Sequence, residues 1–125
     1  MTVDKSAKNF QDVVIWQKAH KFVLSIYKLT DSFPKNERFG LISQLRRSAA
    51  SIPANFAEGF RKKSKADKLR FYNIAQASLS ESQYHLILAN DLNYANTNQL
   101  LEALNEIDIM LDSYMKKIEE GIQKK

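Results

Sequence analysis

The sequence contains no cysteine, only three glycines and only two prolines among its 125 residues. The lack of cysteine excludes a disulfide framework, thiol chemistry and a cysteine-based metal site. So few glycines and prolines argue against a β-rich fold, which would need many turns. No apolar run approaches the roughly 18 residues of a membrane span, and the first ten residues lack the apolar segment of a signal peptide. We therefore expect a cytoplasmic protein that does not enter a membrane.

What the sequence does contain is typical of one globular domain. Hydrophobic residues make up 44% of the chain and charged residues 26%, a balance that indicates a folded core and not disorder. The length is close to the commonest domain size. We therefore predict a single domain over residues 1–125, with flexible ends at residues 1–9 and 119–125.

Apolar spacing predicts four helices, no strand and no internal repeat. The first helix begins near Asp12, a suitable N-cap, and ends where Asp31–Pro34 breaks it. Two apolar stripes on this helix suggest that it is covered on two sides, by its own bundle and by a neighbouring subunit. The second helix begins near Asn36 or Glu37, and its apolar spacing continues across Pro53, which predicts a kinked but continuous helix.

The third and fourth helices complete the domain. Ser64 is well placed to cap the third helix, which at ~30 residues would be about 45 Å long. Asn96 or Thr97 caps the fourth, whose heptad-like apolar seam runs from Leu100 to Ile118. Four helices with short connections predict an all-α fold, an antiparallel up-down-up-down four-helix bundle.

Side chains suited to catalysis or metal binding are sparse. A di-iron bundle needs Glu-x-x-His pairs on two helices, whereas Glu81 and His85 are four residues apart and have no second copy. His20 lies on an apolar stripe beside Trp16, which favours a core or interface histidine. No phosphate loop, dinucleotide motif or zinc-protease motif is present. We predict a protein that is not an enzyme, with no catalytic residue, metal, cofactor or small-molecule substrate.

The second helix carries a polar stripe directly beside its apolar stripe. One interpretation is an ordinary solvent-facing side. The other, which we favour, is an assembly seam, in which small residues let another helix approach closely and the polar stripe forms hydrogen bonds within or between subunits. The residues of this candidate seam are Gln44, Arg47, Ser48, Ser51, Pro53, Asn55, Glu58 and Gly59.

Positive charge is concentrated in the middle of the chain. Between Lys35 and Arg70 there are ten basic and three acidic residues, whereas the remainder has nine basic and eleven acidic residues. Such a region suits a surface that binds phosphates, although a solubilising face is the alternative interpretation. Nearby Phe71 and Tyr72 fit core spacing better than base stacking. The candidate nucleic-acid contacts are Arg46, Arg47, Arg61, Lys62, Lys63, Lys65, Lys68 and Arg70.

Several segments resemble one protein family over nearly the whole chain, from about Phe10 to Ile118. These segments are Val14–His20, Ile26–Thr30, Phe33–Pro34, Phe39–Leu41, Gln44–Ala49, Ser51–Gly59, Phe71–Ala75 and Ser78–Glu81. They are similar to the four-helix bundle proteins first met as reading frames inside intervening sequences of 23S rRNA genes.

This resemblance implies an antiparallel bundle that assembles as a ring-like homo-oligomer, typically a pentamer. It also implies kinship with the nucleic-acid-binding accessory proteins of diversity-generating retroelements, and it brings no catalytic residues. Two hypotheses follow. The first is a homo-oligomer that binds RNA or DNA through backbone phosphates with little sequence preference. The second is a protein-interaction scaffold with no nucleic-acid role.

Overall fold

The computed structural model describes residues 7–123, with side chains described through residue 121. Four α-helices account for most of this range: α1 (Val14–Thr30), α2 (Leu41–Arg61), α3 (Lys65–Asp91) and α4 (Asn98–Gln123). Two short 3₁₀ helices, Phe10–Asp12 and Lys35–Glu37, precede α1 and α2, and no strand occurs in this range. The all-α four-helix bundle is therefore confirmed. Of the predicted flexible ends, residues 1–6 and 124–125 lie outside the described residues.

The start of α1 differs from the prediction because Asp12 has another role. Its carboxylate accepts a hydrogen bond from the Lys8 N–H at 3.1 Å, and the Asn9 side chain accepts one from the Gln11 N–H at 2.9 Å. These bonds fix the preceding 3₁₀ helix. The N-cap residue of α1 is Val13, whose side chain forms no capping hydrogen bond. Asp12 as the N-cap of the first helix was wrong.

The start of α2 lies later than predicted. Lys35–Glu37 form a separate 3₁₀ turn, and Gly40 has φ −108° and ψ −112°, outside helical geometry. Glu37 precedes α2 and is not its first residue. The Glu37 carboxylate accepts a hydrogen bond from the N–H of Leu41, in the first turn of α2, at 3.3 Å. The same carboxylate accepts a second bond from the Tyr94 hydroxyl at 2.7 Å. A start at Asn36 or Glu37 was therefore wrong.

The Glu37–Tyr94 bond makes a prediction about pH. The Tyr94 hydroxyl, followed by the Leu41 N–H, lowers the pKa of Glu37, so its contribution to stability is present above the unfolded-state pKa of about 4.3 and is lost as pH falls through the folded-state pKa. We expect Tyr94→Phe to raise the pKa of Glu37 in an NMR titration of the carboxyl. Tyr84→Phe is the control, since Tyr84 is largely exposed. An unchanged Glu37 pKa in Tyr94→Phe would contradict this assignment.

Helix α3 begins at its predicted cap, and Asn96 and Thr97, the two predicted caps of α4, directly precede its first residue, Asn98. The Ser64 hydroxyl accepts a hydrogen bond from the Asp67 N–H at 3.1 Å and so caps α3. Before α4, the Asn96 side chain accepts a bond from the Asn98 N–H at 3.0 Å. The Thr97 hydroxyl turns inward and donates to the Leu86 carbonyl at 2.9 Å. The two residues that precede α4 are therefore held by hydrogen bonds, Asn96 to α4 and Thr97 to α3.

The core is built from the apolar stripes that periodicity indicated. The predicted α4 seam is buried at Leu104, Ile107, Leu111 and Tyr114. On α1 one predicted stripe is mostly buried, but the other is only partly covered: His20 is exposed and stacks on the Trp16 ring at 4.9 Å between centroids. His20 is therefore not a core histidine.

Helices α2 and α3 pack closely through small polar side chains. Ser48 shares a hydrogen bond of 2.8 Å with Ser82, and the Ser78 hydroxyl donates to the Ser51 hydroxyl at 2.8 Å. These two pairs run in opposite directions along the helices, so α2 and α3 are antiparallel. Pro53 lies inside α2, which continues through it without a break. A bend of the helix axis at Pro53 stays a prediction.

The Ser48–Ser82 pair makes a second prediction. Both residues are buried, with exposed fractions of 4% and 0%, so removing the Ser48 hydroxyl takes away the bond that Ser82 makes to α2, whereas Ser48 itself also donates to the Leu45 carbonyl at 3.2 Å. We expect Ser48→Ala to lower the free energy of unfolding by about 1 kcal/mol. The double variant Ser48→Ala/Ser82→Ala should cost less than the sum of the two single variants in urea denaturation. Additive costs would contradict a shared hydrogen bond.

Candidate nucleic-acid interface

The C-terminus of α2 and the N-terminus of α3 meet at a turn rich in cations, which we call the basic turn. Its members are Arg61, Lys62, Lys63, Lys65 and Arg70. Arg61 and Lys63 are exposed, and neither has an ion-pair partner among residues 7–121. Two cations of this turn are therefore available to an anion.

An aromatic ring organises two more cations of the basic turn. The Lys62 ammonium lies 5.1 Å from the centroid of the Phe71 ring, and the Arg70 guanidinium lies 4.5 Å from it. Such contacts restrain a side chain without neutralising its charge. Arg70 also lies 4.0 Å from the Asp67 carboxylate, an exposed and weak pairing. Phe71 is thus occupied by cations of its own chain, which argues against a role in base stacking.

Lys68 differs from its neighbours because it is tied to α2. Its ammonium donates hydrogen bonds to the carbonyls of Phe60 at 2.7 Å and Gly59 at 3.2 Å. Burial lowers the pKa of Lys68. A cation at the last carbonyls of a helix also stabilises the negative end of the helix dipole. Lys68 therefore caps α2 and is poorly placed as a free phosphate contact. Lys65 lies beside Gly121 of α4.

Arg46 and Arg47 lie apart from the basic turn. Arg46 belongs to the α1–α2 contact: its Nε donates to the Thr30 hydroxyl at 2.8 Å, and its Nη2 donates to the Asp31 carboxylate at 3.1 Å. Arg47 is exposed on α2, and at 1.5 Å per residue it lies about 20 Å from Arg61 along the helix. Of the eight predicted contacts, six lie at the α2–α3 turn: the five members of the basic turn and Lys68, which caps α2.

The candidate assembly seam divides into a buried part and an exposed part. Ser48 and Ser51 bond to α3 as described above, and the Asn55 amide donates to the Ser51 hydroxyl at 2.8 Å. Pro53 and Gly59 are buried, whereas Gln44, Arg47 and Glu58 are exposed. The hydrogen bonds of Ser48, Ser51 and Asn55 thus run within the chain.

Sequence reasoning missed the α3 partners of these residues. Ser78 and Ser82 are four apart and so share one helix face, a signal that could have identified them. The capping role of Lys68 had no such signal, because it depends on the angle at which α3 leaves the turn. The contacts of Lys62 and Arg70 with the Phe71 ring depend on the same angle between α2 and α3, so the sequence carries no signal for them either.

No arrangement of metal ligands occurs among the described residues, which hold no group of three His, Asp or Glu side chains. The nearest approach is Glu81, whose carboxylate lies 3.2 Å from Nε2 of the buried His85. None of the helices, over the described range, combines the length and apolarity that crossing a bilayer requires.

Comparison with known proteins agrees with the fold. The family described as 23S rRNA-intervening sequence protein matches residues 11–116. A solved structure of similar fold is a protein of unknown function from the S23 ribosomal protein family of Bacteroides thetaiotaomicron, with 29% sequence identity and a TM-score of 0.73. The similarity covers 82% of this chain and 99% of that one. No curated protein matches the sequence. Since the match spans four helices and most of the chain, this protein belongs to the 23S rRNA-intervening sequence protein family.

Proposed function

We propose that this protein binds RNA or DNA through backbone phosphates at the basic turn, with little sequence preference. The observation that supports the proposal is the exposure of Arg61 and Lys63 beside Lys62 and Arg70 at one turn. Phosphate contacts of this kind supply affinity without reading bases. Aromatic rings near the turn are engaged by cations or buried, which agrees with binding that does not depend on base identity.

A homo-oligomer is the second part of this proposal. Two large apolar side chains away from the helix ends are well exposed on the single chain: Ile109 is 63% exposed and Leu24 58%. Contacts between copies would cover such residues. Each added copy would also add one basic turn, so the assembly would present a stronger positive field than one chain does.

A titration of labelled RNA and DNA tests the binding proposal. We expect fluorescence anisotropy at about 50 mM salt to show binding of single strands of unrelated sequence with comparable affinity. Mass measurement in solution on the same sample is expected to show one discrete assembly of more than one chain. No binding of either nucleic acid would overturn the first part, and a monomer would overturn the second.

A protein-interaction scaffold is a second candidate function, favoured by an apolar groove between α1 and α2. Trp16, Val23, Pro53, Ala54 and Ala57 line this groove. A partner protein that covered it would bury mostly apolar surface. A monomer in solution that binds no nucleic acid would favour the scaffold over the proposed function.

A further inference from the structure

A cavity of about 390 Å³ opens at the other end of α2, where α1 and α2 meet. Three cations line it, Lys35, Arg38 and Arg46, against one acidic residue, Asp31. The buried ring of Phe33 and the side chain of Ile42 form its apolar part. This volume lies within the usual range for small-ligand sites. The composition favours a ligand with an anionic group and an apolar or aromatic group.

Arg46 is held in place before any ligand arrives. Its guanidinium lies 4.5 Å from the centroid of the Tyr27 ring, and Nε and Nη2 bond to Thr30, Tyr27 and Asp31. In the described part of the chain, Nη1 donates no hydrogen bond. The arginine therefore keeps two N–H donors for a ligand, and its side chain loses little freedom on binding.

Lys35 and Arg38 supply charge that is not neutralised nearby. Both are exposed, and within residues 7–121 neither forms an ion pair. The Asp31 carboxylate is paired with Arg46 at 3.1 Å. Glu37, the other acidic group of this connection, is bonded to Tyr94 and Leu41 instead. An anion in the cavity would thus meet a net positive environment, with an arginine suited to phosphate oxygens.

Phe39 adds a surface for a planar group next to this cavity. Its side chain is 90% exposed, an unusual position for a large aromatic residue. The guanidinium of Arg38, which lines the cavity, lies 5.9 Å from the centroid of the Phe39 ring. Phe71 has two cations at 4.5 and 5.1 Å, whereas the Phe39 ring has this one at 5.9 Å and stays 90% exposed, so it can still accept a planar group beside the cavity. Bases stack on such faces whatever their identity.

We propose that this cavity binds a nucleotide with a terminal phosphate monoester, the phosphate among Lys35, Arg38 and Arg46 and the base on Phe39. The chemistry is shared by a free nucleotide and by the 5′-phosphorylated end of a strand. The site is separate from the basic turn and does not depend on nucleic-acid binding there. Along α2, Arg46 and Arg61 are about 22 Å apart.

Calorimetric titration with adenosine monophosphate, adenosine and inorganic phosphate tests the site. We expect the monophosphate to bind about tenfold more tightly than either of the other two, since only it engages both the cations and the ring. Lys35→Ala/Arg38→Ala should weaken its binding about tenfold. Phe39→Ala should weaken the binding of the monophosphate but leave the binding of inorganic phosphate unchanged. All three residues are exposed, so the variants should fold, which circular dichroism checks.

The outcomes separate the alternatives. Removal of Arg61, Lys62 and Lys63 should leave monophosphate binding unchanged, which keeps this site distinct from the proposed function. Tighter binding of a 5′-phosphorylated strand than of the 5′-hydroxyl strand, lost in Lys35→Ala/Arg38→Ala, would identify the strand end as the ligand. Equal binding of the two strands would assign the site to the free nucleotide. Absence of monophosphate binding, or equal binding by the double variant, would overturn the proposal.

Discussion

Replacing Arg61, Lys62 and Lys63 with alanine is expected to lower the affinity for single-stranded RNA about tenfold to a hundredfold at low salt. The reason is that these three residues are consecutive in the basic turn, where Arg61 and Lys63 are exposed and have no ion-pair partner within residues 7–121. None of the three is buried, so the variant should keep the stability of the parent. Fluorescence anisotropy with one labelled strand measures the change.

A matched variant separates local contact from total charge. Lys18, Lys21 and Lys28 are exposed on α1, with Lys18 in a surface ion pair with Glu106 at 2.6 Å. Their replacement by alanine removes three positive charges from a different surface. We expect this variant to lose less than about threefold in affinity, because surface charges beyond a Debye length are largely screened. Equal losses in the two triple variants would mean that binding follows net charge, and the basic turn would not be the site.

Gly59→Ala is expected to destabilise the fold by a net ~2 kcal/mol. An alanine Cβ would lie 2.6 Å and 2.9 Å from two carbons of the Tyr72 ring. The ring cannot move aside, since Tyr72 is fully buried and its centroid lies 5.0 Å from Phe56 and 5.6 Å from Tyr114. Overpacking of this kind costs about 3 kcal/mol at the upper end of its range, against a gain of about 1 kcal/mol from replacing glycine in a helix.

Thermal unfolding measures this effect, and Gly121→Ala is its control. A net loss of ~2 kcal/mol corresponds to a melting temperature lower by roughly 8 °C in a domain of this size. At Gly121 the new Cβ would also meet an atom at 2.8 Å, but that atom is the terminal nitrogen of Lys65, which can move. We expect Gly121→Ala to leave stability unchanged or to raise it by up to about 1 kcal/mol, the gain from replacing a glycine in a helix. A Gly59→Ala protein as stable as the parent would show that Tyr72 can shift after all.

For Gly59, the sequence indicates a nearby helix end but not the contact that requires a glycine. Its position near the end of α2 suggests a helix terminus, and α2 does end two residues later, at Arg61. The physical reason for glycine, however, is the ring of Tyr72 on the next helix. Periodicity places Tyr72 in the core but cannot say which residue it packs against. The helices follow from local patterns, whereas contacts between helices depend on their relative rotation.

At the candidate site, too, the sequence predicts a local property but not the contacts between helices. Charge density in the sequence correctly marks the α2–α3 turn as cationic, but it cannot separate Lys68, which caps α2, from Lys63, which is exposed. Arg46 lies in the same positive region of sequence, yet its partners Thr30 and Asp31 come from α1 and its end. Which basic side chains are free is set by tertiary contacts, and sequence spacing does not contain that information.

The salt dependence of binding tests the central claim most directly. For single strands, the logarithm of affinity falls with the logarithm of salt concentration with a slope of about −0.7 for each phosphate neutralised. If the five cations of the basic turn all contact phosphates, the slope should be about −3.5, and Arg61→Ala/Lys62→Ala/Lys63→Ala should reduce its magnitude by about 2. A slope near zero, or the same slope in the variant, would contradict phosphate binding at this turn.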